Sequence, residues 1–132
     1  MKKIIIILCM LPFLIWLQGC RPATYVIEGY TASSMNPDIP VPTNAKLIKI
    51  ITDSGNRNIK EGVIYELKHI GGEQGLYPPL DYFQKLADTG WVELEEERMG
   101  HIHFLKKDTT VIAIEIREDI FEIYEMIKGT VF

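Results

Sequence analysis

From Ile4 to Leu17 the chain carries no charged residue, and Pro12 is the only helix breaker in the run. A continuous stretch of this kind has no amphipathic face to lay on a small domain. Its fourteen residues at about 1.5 Å of rise make roughly 21 Å of helix, short of the ~30 Å hydrocarbon core of a bilayer. With Lys2 and Lys3 in front of it, the run reads as the h-region of a signal peptide over residues 1–19, not as a permanent span. Folding is then left to the remaining chain, which is about one domain long. Of the two cysteines, Cys9 lies inside this leader and Cys20 directly behind it. Nothing after residue 20 can form a disulfide or a cysteine metal site, so packing alone must hold the core.

Leu17-Gln18-Gly19-Cys20 resembles the lipobox of bacterial lipoproteins, with Leu17, Gly19 and Cys20 at the defining positions and Gln18 at a tolerant one. The resemblance implies cleavage between Gly19 and Cys20, a diacylglyceryl thioether on Cys20 and an acyl group, typically palmitate, on the new amine. These covalent lipids are the only cofactor expected. The residue types suit the chemistry: a thiol is the soft nucleophile that can be alkylated, and glycine leaves the peptidase unhindered. One acyl chain binds a membrane marginally, whereas two or three hold firmly at about 0.8 kcal/mol per buried CH₂. Arg21 stands where an Asp would favour retention in an inner membrane. The expected location is the outer membrane facing the periplasm in a Gram-negative envelope, or the outer face of the plasma membrane in a Gram-positive one.

The chain has 14 basic and 18 acidic side chains, and loss of Lys2 and Lys3 with the leader leaves 12 against 18. Such a body has no basic footprint for nucleic acid and no general attraction to anionic lipid. Its charged fraction of 24% is that of a globular protein, so the mature part is expected to fold.

Residues 20–44 contain Pro22, Pro37, Pro40 and Pro42 and the pair Ser33-Ser34, and read as a lipidated N-terminus and tether. Within it, Asp38-Ile39-Pro40-Val41-Pro42 is expected to run extended along the domain edge, pinned by Ile39 and Val41. The globular domain is expected over 45–132. Strands are expected at 46–52, 60–70, 91–97, 102–107 and 110–117 from their alternation. Pro78-Pro79 opens a helix with Leu80, Phe83, Leu86 and Ala87 on one face and Gly90 as its cap. Residues 120–128 fit a strand or a helix; their Ile and Phe content and their place in a meander favour the strand. The expected class is α+β: a small two-layer domain with an antiparallel sheet of about five strands, β-β-α-β-β-β, and one helix packed on one face.

The segments Asp38-Ile39-Pro40-Val41-Pro42, Tyr82-Phe83-Gln84-Lys85-Leu86 before Gly90-Trp91, and Phe104-Leu105-Lys106-Lys107-Asp108 together resemble a group of small bacterial envelope lipoproteins. That group opens with Asp-Ile-Pro-Val-Pro and follows an aromatic helix with Gly-Trp. It carries no assigned activity, so the resemblance implies fold and location and leaves the chemistry open.

His101-x-His103 is the one pair with metal-ligand spacing, since residues two apart on a strand share a face. Local spacing supplies only those two ligands, with Glu93, Glu95, Glu96 and Glu97 on the preceding stretch as possible carboxylates. Ser54 sits in Asp53-Ser54-Gly55-Asn56, a turn sequence. No catalytic residue and no metal site is therefore assigned. The expected function is a lipid-anchored, non-catalytic interaction or assembly module with another envelope protein as partner. An immunity- or inhibitor-type or small-ligand-binding lipoprotein is the alternative, and a metal-dependent enzyme built on His101 and His103 is third. The partner-binding patch is expected at Leu105, Val111, Tyr124 and Met126. That assignment follows from a hairpin register sending Ile102, Phe104, Ile112 and Ile114 inward and the four patch residues outward.

Replacing Cys20 with Ala is expected to abolish lipid attachment and leader cleavage. Mass spectrometry then finds a precursor heavier by residues 1–19; an unmodified N-terminus at any other residue would reject the lipobox.

Overall fold

The computed structural model describes residues 24–130; Leu17, Gly19 and Cys20 lie outside them. Its strands are β1 (Tyr30–Ala32), β2 (Pro40–Pro42), β3 (Lys46–Ile51), β4 (Ile59–Glu66), β5 (Val92–Glu93), β6 (Ile102–Lys107), β7 (Thr110–Ile116) and β8 (Ile120–Met126), with one helix, α1 (Leu80–Asp88), between β4 and β5. β1 and β2 form a small antiparallel hairpin, and the others form one antiparallel sheet in the order β3-β4-β8-β7-β6-β5. The expected α+β domain with a five-stranded sheet is thus corrected to a mainly β fold of eight strands in two sheets. Residues 120–126 are a strand, and the expected strand at 91–97 shrinks to Val92–Glu93 before a 3₁₀ turn over Glu95–Glu97.

Size explains why one helix is not the cover of this sheet. Nine residues of helix span about 14 Å and about 10 Å across, while six strands at ~4.8 Å spacing present a far wider face. The helix lies instead against β2 and β5. The remaining cover comes from residues 25–42, the segment expected as tether. Ile39 is fully buried and Val41 nearly so, and Tyr25, Ile27, Tyr30 and Met35 pack around the same core. Tyr65, Phe121 and Tyr82 make an aromatic centre, with ring centroids 5.3 Å and 5.5 Å apart in the two successive pairs.

Buried polar groups tie this layer down. The Tyr82 phenol donates to the Pro40 carbonyl at 3.0 Å, and the Trp91 indole donates to the Asp38 carbonyl at 2.9 Å. The Tyr65 phenol accepts the Ser34 amide at 3.1 Å, holding the bend between β1 and β2. The helix face differs from the expected one accordingly. Tyr82 and Leu86 are buried and Phe83 is half-buried, whereas Leu80 is 76% exposed and Ala87 faces solvent.

Two tight turns set which residues face the core. Lys107 pairs with Thr110 across a two-residue turn at Asp108-Thr109, with Asp108 at φ 53°, a conformation that Asp tolerates better than most residues. The register places Leu105 opposite Ile112 and His103 opposite Ile114, and opposed residues share a face. Leu105 is therefore a core residue at 2% exposure, and its expected outward position is corrected; Ile102 and Phe104 take the outer face with Ala113. Arg117 and Ile120 close the second turn, at Glu118-Asp119, through an N–H···O bond of 2.8 Å. The chain after β4 wraps onto that turn: Leu67 and Gly71 donate to the Asp119 and Glu118 carbonyls. Gly71 is needed there, because a Cβ would stand 2.0 Å from the Arg117 carbonyl oxygen.

At one edge of the sheet, β3 shows Leu47, Ile48 and Ile50 to solvent, with a bulge between Leu47 and Lys49. The bulge and the alternating Lys46 and Lys49 are the usual protections of an open edge.

If the Asp38–Pro42 segment is core and not tether, Ile39→Ala is expected to cost about 2–5 kcal/mol. Denaturant unfolding followed by Trp91 fluorescence measures this, and an unchanged midpoint would return the segment to a tether.

Candidate functional site

The hairpin and helix cover one face of the sheet and leave the other, hereafter the open face, without a second layer; there Phe104 and Ala113 are only 5% and 6% exposed, and Ile102, Val111, Tyr124 and Met126 are half-buried. Alternation sends Ile102 and Phe104 of β6, Val111 and Ala113 of β7, and Tyr124 and Met126 of β8 to that open face. Of the four residues expected in a partner patch, Val111, Tyr124 and Met126 are therefore brought together, and Phe104 stands in the row expected for Leu105. The signal in the sequence is the Lys107-Asp108-Thr109-Thr110 turn, whose two-residue length inverts the parity of β6 against β7.

β4, β6, β7 and β8 line a groove of about 480 Å³ with Ile59, Ile102, Phe104, Ala113, Tyr124 and Met126, and Met99 is exposed on its lip. Gly62 lets the Tyr124 ring lie flat across β4, since a Cβ there would stand 2.5 Å from the ring. The Tyr124 hydroxyl donates to Glu122, and partial burial, followed by this carboxylate, pushes the phenol upward so that it stays protonated. Glu115 and Glu122 are directly opposed across β7 and β8, a repulsive pair that Arg117 relieves at 3.0 Å and 3.7 Å. The other end of the groove runs into a hollow containing Lys106 and Lys128. The face thus has an apolar floor, an acidic end braced by one arginine and a basic end.

His103 and His101 lie elsewhere. His103 points to the covered side and is 6% exposed. Its Nδ1 is 2.7 Å from Glu93 Oε1, and the same oxygen accepts Arg98 Nη2 at 2.6 Å and Nε at 3.0 Å. Phe83 packs on the imidazole with ring centroids 4.5 Å apart. His101 is exposed just before β6, and both histidines border a hollow of about 360 Å³ with Arg98. Of the glutamates expected near the pair, Glu93 meets His103. Its oxygen is already claimed by Arg98, and among the described residues no three His, Cys, Asp or Glu side chains converge as metal ligands. The arrangement is a clamp joining the short edge strand β5 to β6. Among the described residues no helix is long and apolar enough to cross a membrane.

Burial alone would raise the Glu93 carboxyl, but hydrogen bonds and charge from His103 and Arg98 outweigh it and hold the group below its ordinary 4.5. A carboxyl lowered by folding adds stability that is complete above its unfolded value and is lost as pH falls through the folded one. Glu93→Gln is therefore expected to melt below wild type at neutral pH, with the gap closing as pH drops below 4.5. A gap independent of pH would show that the carboxylate charge contributes nothing.

Comparison with protein-family models, with curated proteins and with solved structures gives no match for this chain.

Proposed function

We propose that this chain is a lipid-anchored, non-catalytic interaction module of a bacterial envelope, held by acyl groups on Cys20 and docking an envelope protein on the open face of its sheet. The observation that carries the reading is the open-face groove. Core-type residues (Ile102, Phe104, Ala113, Tyr124, Met126) form its floor on a face that neither the helix nor the β1–β2 hairpin covers. A concave, mostly apolar floor with a few polar groups at its ends is the usual form of a binding site. The polar ends add orientation: an extended apolar segment of a partner gains most with its acidic side toward Lys106 and Lys128 and a basic or neutral side toward Glu115 and Glu122. A small apolar ligand is the second reading, favoured by a groove volume within the usual range of ligand sites.

A photoreactive residue at Met126 in intact membranes is expected to give a discrete adduct that Val111→Asp removes. The same probe at Asp88, exposed on the covering layer, is expected to give none. Both open-face positions are half-buried, so the melting temperature serves as the control for folding. Adduct formation that is indifferent to Val111→Asp would reject the docking face. A lipid-sized mass retained by the purified protein in native mass spectrometry, and lost in Val111→Asp, would select the small-ligand reading.

A further inference from the structure

Tyr25 is held to the fold by its bond to Asp81, and it stands five positions after Cys20. From Cys20 to Tyr25 a fully extended backbone reaches about 18 Å at most. A domain of this size has a radius of gyration of about 13 Å, so such a link is shorter than the domain is wide. A domain held that closely cannot turn its anchored end away from the surface that holds the anchor.

The anchored end has an unusual composition. The Tyr25 hydroxyl donates to Asp81 in the first turn of α1, which fixes the entering chain beside Leu80. Asn44 bonds the backbone on both sides of this point, donating to the Val26 carbonyl at 2.7 Å and accepting the Glu28 amide at 3.2 Å. Beside this fixed entry Leu80 is 76% exposed and Val26 64%; Tyr77, joined to Leu80 through Pro78-Pro79 and bonded to Gly71, is 66% exposed. Side chains of this type gain from the boundary between headgroups and acyl chains, and tyrosine is enriched there. The flanking charges are mixed, Glu28 and Asp81 against Arg21 beside Cys20 and Lys85 one turn along α1, and the mature chain as a whole is acidic. The chemistry fits zwitterionic headgroups and not anionic ones.

We infer that the mature protein lies on the bilayer with Val26, Tyr77 and Leu80 among zwitterionic headgroups, so that the covering layer faces lipid and the open sheet face is turned away from it. The inference rests on the lipid anchor proposed above. It adds an orientation that the anchor alone does not require.

The test uses the lipidated protein extracted from membranes and reconstituted into phosphatidylcholine vesicles. With Cys20 alkylated, no other thiol remains in the mature chain, so Val26→Cys, Leu80→Cys and Lys106→Cys each accept one nitroxide. All three positions are exposed, and an unchanged melting temperature of each labelled protein serves as the control for folding. Labels at 26 and 80 are expected to collide more often with oxygen, which partitions into lipid, than with a water-soluble nickel chelate; at 106 the order is expected to reverse. An aqueous signature at all three positions, on protein whose mass shows the acyl groups, overturns the orientation and leaves the anchor standing. A mass without acyl groups overturns the anchor and the orientation with it.

Discussion

Two donors on the helical side of the molecule, the Tyr82 phenol and the Trp91 indole, reach the carbonyls of Pro40 and Asp38, and the covered face of the sheet depends on them. β2 is an awkward strand: Pro40 and Pro42 have no amide hydrogen, so it cannot sit in the middle of a sheet. The Pro40 carbonyl is buried all the same, and a buried carbonyl without a partner costs about 1–3 kcal/mol. Tyr82 of α1 supplies that partner, and Trp91 takes the Asp38 carbonyl just ahead of the strand. The strand is therefore wedged between helix and sheet, with Ile39 and Val41 in the core. Helix and hairpin each cover too little alone; joined by these bonds they form one layer.

The result is a sheet with two unlike sides. One side is closed by a composite layer that also carries the point where the chain enters the fold. The other keeps an apolar groove between an acidic and a basic end. The chain's entry into the fold and the groove lie on opposite sides, so the proposed anchor and the proposed docking face would not compete for surface. The clamp of Glu93, His103 and Arg98 lies at the edge of the covered side, with Phe83 of α1 packed on the imidazole. It fastens a two-residue edge strand that its own ladder bonds could hardly keep.

Individual elements are legible where the pattern is local. The strands at 102–107, 110–116 and 120–126 follow from alternation, and α1 follows from Pro78-Pro79 ahead of it and Gly90 behind. Local pattern does not carry the facing of those elements or their partners. One turn residue decides the parity of β6 against β7: Asp108 accepts a left-handed conformation, the turn closes in two residues, and Leu105 goes inside while Phe104 goes out. The helix offers both a Leu80-Phe83-Leu86 stripe and a Tyr82-Leu86 stripe. Only the distant Pro40 carbonyl selects the second. Residues 34–42 look like tether composition because the side chains that bond their backbone, Tyr65 at Ser34, Trp91 at Asp38 and Tyr82 at Pro40, lie far along the chain. The lipobox residues stand outside the described part of the molecule, and their reading rests on sequence alone.

The strand order has a consequence for when the fold can form. β8 is the last strand in the sequence, yet it lies inside the sheet between β4 and β7. Until it is present, the first hairpin, β3–β4, has no neighbour on its inner side and the covering layer has only a fragment of floor. The β4–β8 pairing also joins residues some sixty positions apart, from Glu66↔Ile120 to Ile59↔Met126, a loop closure that slows folding. A nascent chain is thus kept from completing its core while its N-terminal half is already emerging. For a chain that crosses a membrane unfolded, as the signal peptide expected over 1–19 would require, a central strand placed last in the sequence would keep the core incomplete until β8 has been made.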